Sequence, residues 1–393
     1  MRMFLAFNVA VMFALSGPAA AQAQENPGVQ RPVTQQEIDR LKRQIDADTR
    51  SSVEAIIDYH TESGDLNNRL DFFRYGGRLN LKLGPSAAFQ LTGTRTDYLP
   101  MSDLFKEQGT NVTAGIHTKL SESTEAHVEA GASRFSSDTS SINALASVTY
   151  NASDHTYLSV TARRSNVEES LLSTTGIRPV TGPFAGQLVG RVMENRFVVG
   201  GSSRLSGNFD IFGEGGFGNR AGNNVPSNFF KTAGGGVGYS IVASPDEPLS
   251  LLRVAYEFSY FGFDENRFGF GGASLLTRGG LPVASTRIGS DAISPTPGVT
   301  RAGVGGYFSP RNFVSNIGRV EAKGGSDDGL SYRVSGFLGS QNYTGATGRL
   351  ASGLSATVSV GITERISLPV TYVIDTFGPY TQQTLYAGLA VRF

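Results

Sequence analysis

The sequence predicts an all-β fold, a single transmembrane antiparallel β-barrel of about sixteen strands preceded by a short N-terminal helix. Three observations predict it. Apolar and polar residues alternate along most of the 393 residues, and the mean hydropathy of −0.14 is what results when only every second side chain meets an apolar medium. The alternating stretches are bounded by Gly, Asn, Asp, Ser and Pro, and each is long enough for a tilted crossing of a bilayer. The chain also exits on a strand pattern, with Leu385, Ala387, Leu389, Val391 and Phe393 on one face and Thr384, Tyr386, Gly388, Ala390 and Arg392 on the other. A soluble sandwich alternates as well. The terminal aromatic distinguishes the two, because it is similar to the C-terminal signal by which outer-membrane barrels are recognised for assembly.

From the N-terminus, Arg2, the apolar run 4–15 and the small residues Ala19-Ala20-Ala21-Gln22-Ala23 read as an export signal over residues 1–23. Asn8 interrupts that run, and it is shorter than the roughly 20 residues a spanning helix needs. Residues 24–50 read as a periplasmic helical linker. Within it, positions 34–48 place Ile38, Leu41 and Ile45 on one narrow stripe behind Thr34 as N-cap, too little apolar surface for a domain of its own. Residues 51–393 are left for the barrel.

Connection lengths give the barrel an orientation. With the N-terminus in the periplasm, the even-numbered connections face that side, and all are short, such as Gly84-Pro85 and Thr363-Glu364. The long connections, 168–186 and 265–306, follow odd strands and read as outside loops. Two predicted strands matter below, 307–323 and 365–374.

Parity assigns the faces. In the strand 124–135, Ala126, Val128, Ala130 and Ala132 point to lipid, whereas Glu125, His127, Glu129, Gly131 and Ser133 point inward, since hydrocarbon would tolerate the second set only at high cost. The same reasoning puts Lys82, Arg163, Glu257, Arg333, Arg365 and Arg392 on the channel lining, with Leu81, Val160, Tyr256, Phe258, Leu338, Leu368 and Val391 outside. Inward aromatics are Tyr157, Phe212, Phe261, Phe337 and Tyr386, which serve either as stacking platforms for sugar rings or as spacers that narrow a pore.

Other motifs point elsewhere only weakly. Gly213-Glu214-Gly215-Gly216-Phe217-Gly218 matches the dinucleotide fingerprint, which requires a helix directly after it, and here the strand pattern simply continues. His117 and His127 share the inward face of neighbouring strands, but Lys119 and Glu125 beside them suggest an ordinary polar ladder, with no third ligand marked by spacing. No metal, cofactor or catalytic residue is implied. Equal numbers of Lys+Arg and Asp+Glu, 34 each, leave no basic field to draw nucleic acid.

The tract Gly305-Gly306-Tyr307-Phe308-Ser309-Pro310-Arg311-Asn312-Phe313 resembles one in the C-terminal outer-membrane barrel of the bacterial cellulose synthase system, the barrel through which cellulose is exported. Ser63-Gly64-Asp65, Arg69-Leu70-Asp71 and the strand series ending at Phe393 are similar to that barrel too. The resemblance implies an outer-membrane channel for an exopolysaccharide, fed by an inner-membrane synthase through a periplasmic array of tetratricopeptide repeats. Here residues 24–50 are fewer than one repeat of about 34 residues, so either a separate protein supplies the scaffold or the barrel serves another polymer or solute. The implied partners are outer-membrane lipid, the barrel assembly machinery acting on the strand that ends at Phe393, and the polysaccharide. The alternatives are a general porin, an adhesin-like barrel working through 265–306, and a barrel hydrolase using His117 or His127.

Overall fold

The computed structural model describes residues 50–63, 70–99, 107–136, 139–153, 155–178, 184–243, 248–265, 307–326, 329–344, 346–377 and 380–393. The export signal, the linker helix over 34–48 and most of the 265–306 loop lie outside the described residues.

Sixteen antiparallel strands form one closed barrel. In chain order they are β1 (Ser52–Glu62), β2 (Phe72–Lys82), β3 (Ala87–Tyr98), β4 (Glu107–Lys119), β5 (Thr124–Phe135), β6 (Thr139–Ser153), β7 (Thr156–Asn166) and β8 (Gly190–Ser206). The second half comprises β9 (Phe209–Asn223), β10 (Val225–Ala243), β11 (Leu249–Phe263), β12 (Phe313–Gly325), β13 (Leu330–Tyr343), β14 (Ala346–Thr363), β15 (Ile366–Phe377) and β16 (Tyr380–Arg392). Each strand pairs with its neighbours in sequence, and β1 closes the cylinder against β16, with Ser52 opposite Arg392 and Glu62 opposite Gln382. Closure leaves no strand edge unpaired, which a bilayer demands because nothing in hydrocarbon can satisfy a bare N–H or C=O.

The registers propagate one parity around the whole cylinder. Val53, Leu91, Val128, Val160, Leu338 and Leu389 fall in the outward class, and all are exposed apolar residues, the belt that faces lipid. Among the described residues no helix is long and apolar enough to cross a membrane. Following one inward row of partners from Ser52 through Asn80, Gln90, Gly115 and Glu129, the row begins at the rim that carries both termini. It continues through Arg163, Arg196 and Phe230 and ends on Phe263, at the opposite rim. The strands are therefore tilted, as closing a sheet requires.

Two expectations need correction. Arg365 is not on the wall. It sits exposed in the turn between β14 and β15, because the strand starts at Ile366 and Thr363 Oγ1 accepts the N–H of both Arg365 and Ile366 to close the turn. The predicted strand 307–323 begins only at Phe313. Pro310 has no N–H to give a ladder, and Tyr307-Phe308-Ser309 instead bury their side chains inside the barrel. The connection 168–186 leaves the rim opposite the termini, the side expected of it, and its first half folds into the lumen.

Candidate functional site in the lumen

The lumen divides into two zones. Toward the terminal rim it is polar, and several of its charges are paired. Arg253 donates to Asp210 through Nε and Nη2 at 3.1 and 2.6 Å, and Arg319 donates to Glu257 at 2.8 and 3.1 Å. Arg333 lies 3.5 Å from Glu321. On the other side Arg78 donates to Glu54 at 3.3 Å, and the Tyr386 hydroxyl donates to the same carboxylate. His117 and His127 face each other directly, rings 6.2 Å apart, with Glu125 3.5 Å from the first and Glu129 4.0 Å from the second. That is the polar ladder expected from spacing. Among the described residues no group of three His, Cys, Asp or Glu is placed to hold a metal ion.

The remaining predicted positions also carry inward parity. Tyr157 stands opposite Asn151 and Ser202, and Arg163 opposite Leu145 and Arg196. Lys82 and Arg392 mark the terminal rim, where each ends its strand.

Glycines on the wall let the long inward side chains lie flat. A Cβ on Gly238 would come within 2.2 Å of Arg253 Nη2, and one on Gly353 within 2.3 Å of the Phe337 ring. Arg253 therefore reaches over β10 to Asp210 on β9, and Phe337 rests on β14. Each ring adjoins a guanidinium: Arg253 is 5.7 Å from the Phe212 centroid and Arg319 is 5.0 Å from that of Phe337.

The second zone, toward the opposite rim, is filled. After β7 the chain turns inward and forms α1 (Leu171–Thr174), one short turn whose capping box is made by Ser170 and Ser173. An isolated bridge, Ile177 to Val189, returns it to the wall. Leu172, Ser173, Thr174 and Thr175 are all but inaccessible to solvent. Gly190 (φ 91°) carries this return, since a Cβ there would strike the Leu172 carbonyl at 2.3 Å. This strap runs across the lumen. Leu171 packs among Leu70, Phe72, Tyr98 and Phe135, and both carboxylate oxygens of Glu168 accept from Arg74 Nη2, at 3.0 and 2.9 Å.

A second cluster closes the other flank, built from Val167, Val192, Phe230, Phe261, Phe263 and the Tyr307-Phe308 segment, among others. At its centre is a buried ionic knot. Arg220 donates to Glu194 at 2.7 Å and to Glu169 at 2.9 Å, and Glu169 also accepts the Phe308 N–H at 2.8 Å. The three charged side chains are 2–5% exposed. Breaking such a knot by removing one partner costs about 3–5 kcal/mol, so it holds its loops firmly. Sequence reasoning passed over Arg74, Arg220, Glu168 and Glu169. The available signal was Leu171-Leu172, an apolar pair beside a serine cap in what otherwise reads as a solvated loop.

The model of the family described as "Cellulose synthase operon protein C C-terminus" matches residues 46–272, more than half of the chain. The chain belongs to that family. It is accordingly an outer-membrane channel barrel, and the family resemblance drawn from the Tyr307-Phe308-Ser309-Pro310 tract, which lies beyond the matched span, holds. A bacterial polysaccharide outer membrane secretin shares the fold, with a TM-score of 0.58 at 11% identity over 87% of this chain and 98% of that one. OccK5 (OpdH) of Pseudomonas aeruginosa overlaps 88% of this chain and 98% of its own at 9% identity and a TM-score of 0.40. CdiB from Acinetobacter baumannii overlaps 86% of this chain and 60% of its own at 10% identity and a TM-score of 0.43. No curated protein matches.

Proposed function

We propose that this channel exports cellulose or a closely similar uncharged polysaccharide, received from a synthase and a periplasmic scaffold on other chains. Residues 1–23 direct secretion, 24–50 link the barrel to the periplasm, and the rim opposite the termini faces outward. The observation that carries this reading is the pairing of lumen charges: Arg253 with Asp210, Arg319 with Glu257, Arg78 with Glu54. Rings of one sign would select ions or charged polymers. Paired groups present donors and acceptors to hydroxyls without a net field, and adjoining rings offer sugars a flat apolar face. Contacts of this kind are weak and serial, which lets a long chain advance.

Single-channel recordings of open events test the reading. Neutral cello-oligosaccharides added at the terminal rim should block the current, and Tyr157→Ala with Tyr386→Ala should weaken that block roughly tenfold, at about 0.5–1.5 kcal/mol per lost platform. Equal block by an anionic oligosaccharide of the same length, or none by the neutral one, refutes an uncharged glycan as cargo.

A further inference from the structure

The parity that sends most charged residues into the lumen also singles out the exceptions on the outer surface. Arg95 in β3, Arg134 in β5, Arg164 in β7 and Lys231 in β10 fall in the outward class, opposite Tyr75, Ser140, Ala144 and Phe217, and all four are exposed. Each lies near the rim opposite the termini. Arg134 immediately precedes the last residue of β5, and Lys231 pairs with Gly262, next to the end of β11. Among the described residues the outward faces of β1, β2 and β11 to β16 carry no charge, so the cations occupy one side of the cylinder. The one acid of outward parity is Asp97, 3.8 Å from Arg95, which also donates to Gln108. Charge on the lipid face is costly at mid-membrane and nearly free at the interface, so these residues mark the headgroup level.

A polar row runs beside them. Arg164 donates to Asn195 at 2.8 Å, Asn195 to Asn219 at 3.2 Å and Asn219 to Ser227 at 3.2 Å, a ladder across the outer surface of β7 to β10. Phe197, Phe217 and Phe229 flank it, with successive ring centroids 5.4 and 6.2 Å apart. Lys231, opposite Phe217, has neither a hydrogen-bond nor an ion partner among the described residues.

We propose that this face, centred on Arg134, Arg164 and Lys231, binds a phosphate-bearing glycolipid of the outer leaflet. Its place in that leaflet rests on the outward orientation of this rim; the chemistry of the face does not. The cations take the phosphates, the amide row meets sugar hydroxyls, and the three rings pack against acyl chains. A phosphate monoester carries nearly two charges and a phospholipid diester only one, so spaced cations beside amides favour the glycolipid.

The barrel purified in neutral detergent and titrated with bisphosphorylated lipid A tests this, with bound lipid counted by native mass spectrometry. The native barrel should retain the lipid. Arg134→Gln, Arg164→Gln and Lys231→Gln together should weaken binding about tenfold, the combined effect of three exposed charge contacts. Heat-modifiability on gels shows whether the variant has folded; if it has not, Lys231→Gln alone should weaken binding roughly twofold. Equal binding by the folded variant, or of lipid A stripped of its phosphates, overturns the proposal. Equal binding of phosphatidylglycerol overturns the glycolipid as occupant, since any anionic lipid would then serve. Labelling of the 265–306 connection on intact cells reads orientation separately, and a reversed barrel that still binds lipid A overturns the outer leaflet as its place.

Discussion

Gly353 shows how a single missing side chain shapes the pore. A methyl group there would collide with the Phe337 ring at 2.3 Å and with Asp375 Cβ at 2.9 Å, so the ring would have to lift into the lumen and away from Arg319. Gly353→Ala should lower stability in urea and narrow the open pore. Adding Phe337→Ala should recover most of both losses, because the two residues are in contact and their effects do not add. Additive losses in the double variant would mean that the ring is not what the glycine accommodates. The charged side chains carry the opposite lesson. Glu257 looked like a lumen charge in the sequence, and it is one, but Arg319 on the next strand holds both its oxygens. Parity shows which side a residue faces and says nothing about its partner, since partners depend on register.

At the scale of the strand, much was legible. The period of two and the turn residues located all sixteen strands, and β5 and β13 fall on the residues expected for them. What failed were segments where a strand-like composition does a different job. Tyr307 to Pro310 alternates well enough to pass as the start of β12, and Arg365 as the start of β15. In both cases a local requirement, a proline without a donor or a hydroxyl closing a turn, outweighs the periodic pattern. The closing strand is the element most open to test. Leu389 and Val391 pair with Ala55 and Val53 on the lipid face, and the Ser51 and Phe393 backbones exchange hydrogen bonds at 3.1 and 2.9 Å. Removing Phe393 and changing Leu389 and Val391 to Asp should leave periplasmic aggregate and little heat-modifiable barrel, each charge costing up to a few kcal/mol near mid-membrane. Normal assembly of that variant would show that β16 is not the seam.

At the scale of the whole molecule, the strap was invisible to sequence reading, because a loop that enters a lumen and a loop that meets water can share one composition. Its burial is created by strands far away in the chain, with Arg74 in β2 and Arg220 in β9. Connection lengths also propose an orientation for the barrel, and the absence of cysteine makes it simple to check. Ser290→Cys places the only thiol in the β11–β12 connection. A membrane-impermeant maleimide should label it on intact cells, and labelling only after the outer membrane is disrupted would reverse the barrel.

The filled far zone also bears on what such a channel means for the cell that carries it. A barrel wide enough for a polymer would, if always open, admit bulky toxic solutes that the outer membrane exists to keep out. The strap and the Tyr307-Phe308 segment pack inside the lumen toward the rim opposite the termini. On the proposed export reading, filling of that zone limits the leakage of such solutes between rounds of secretion.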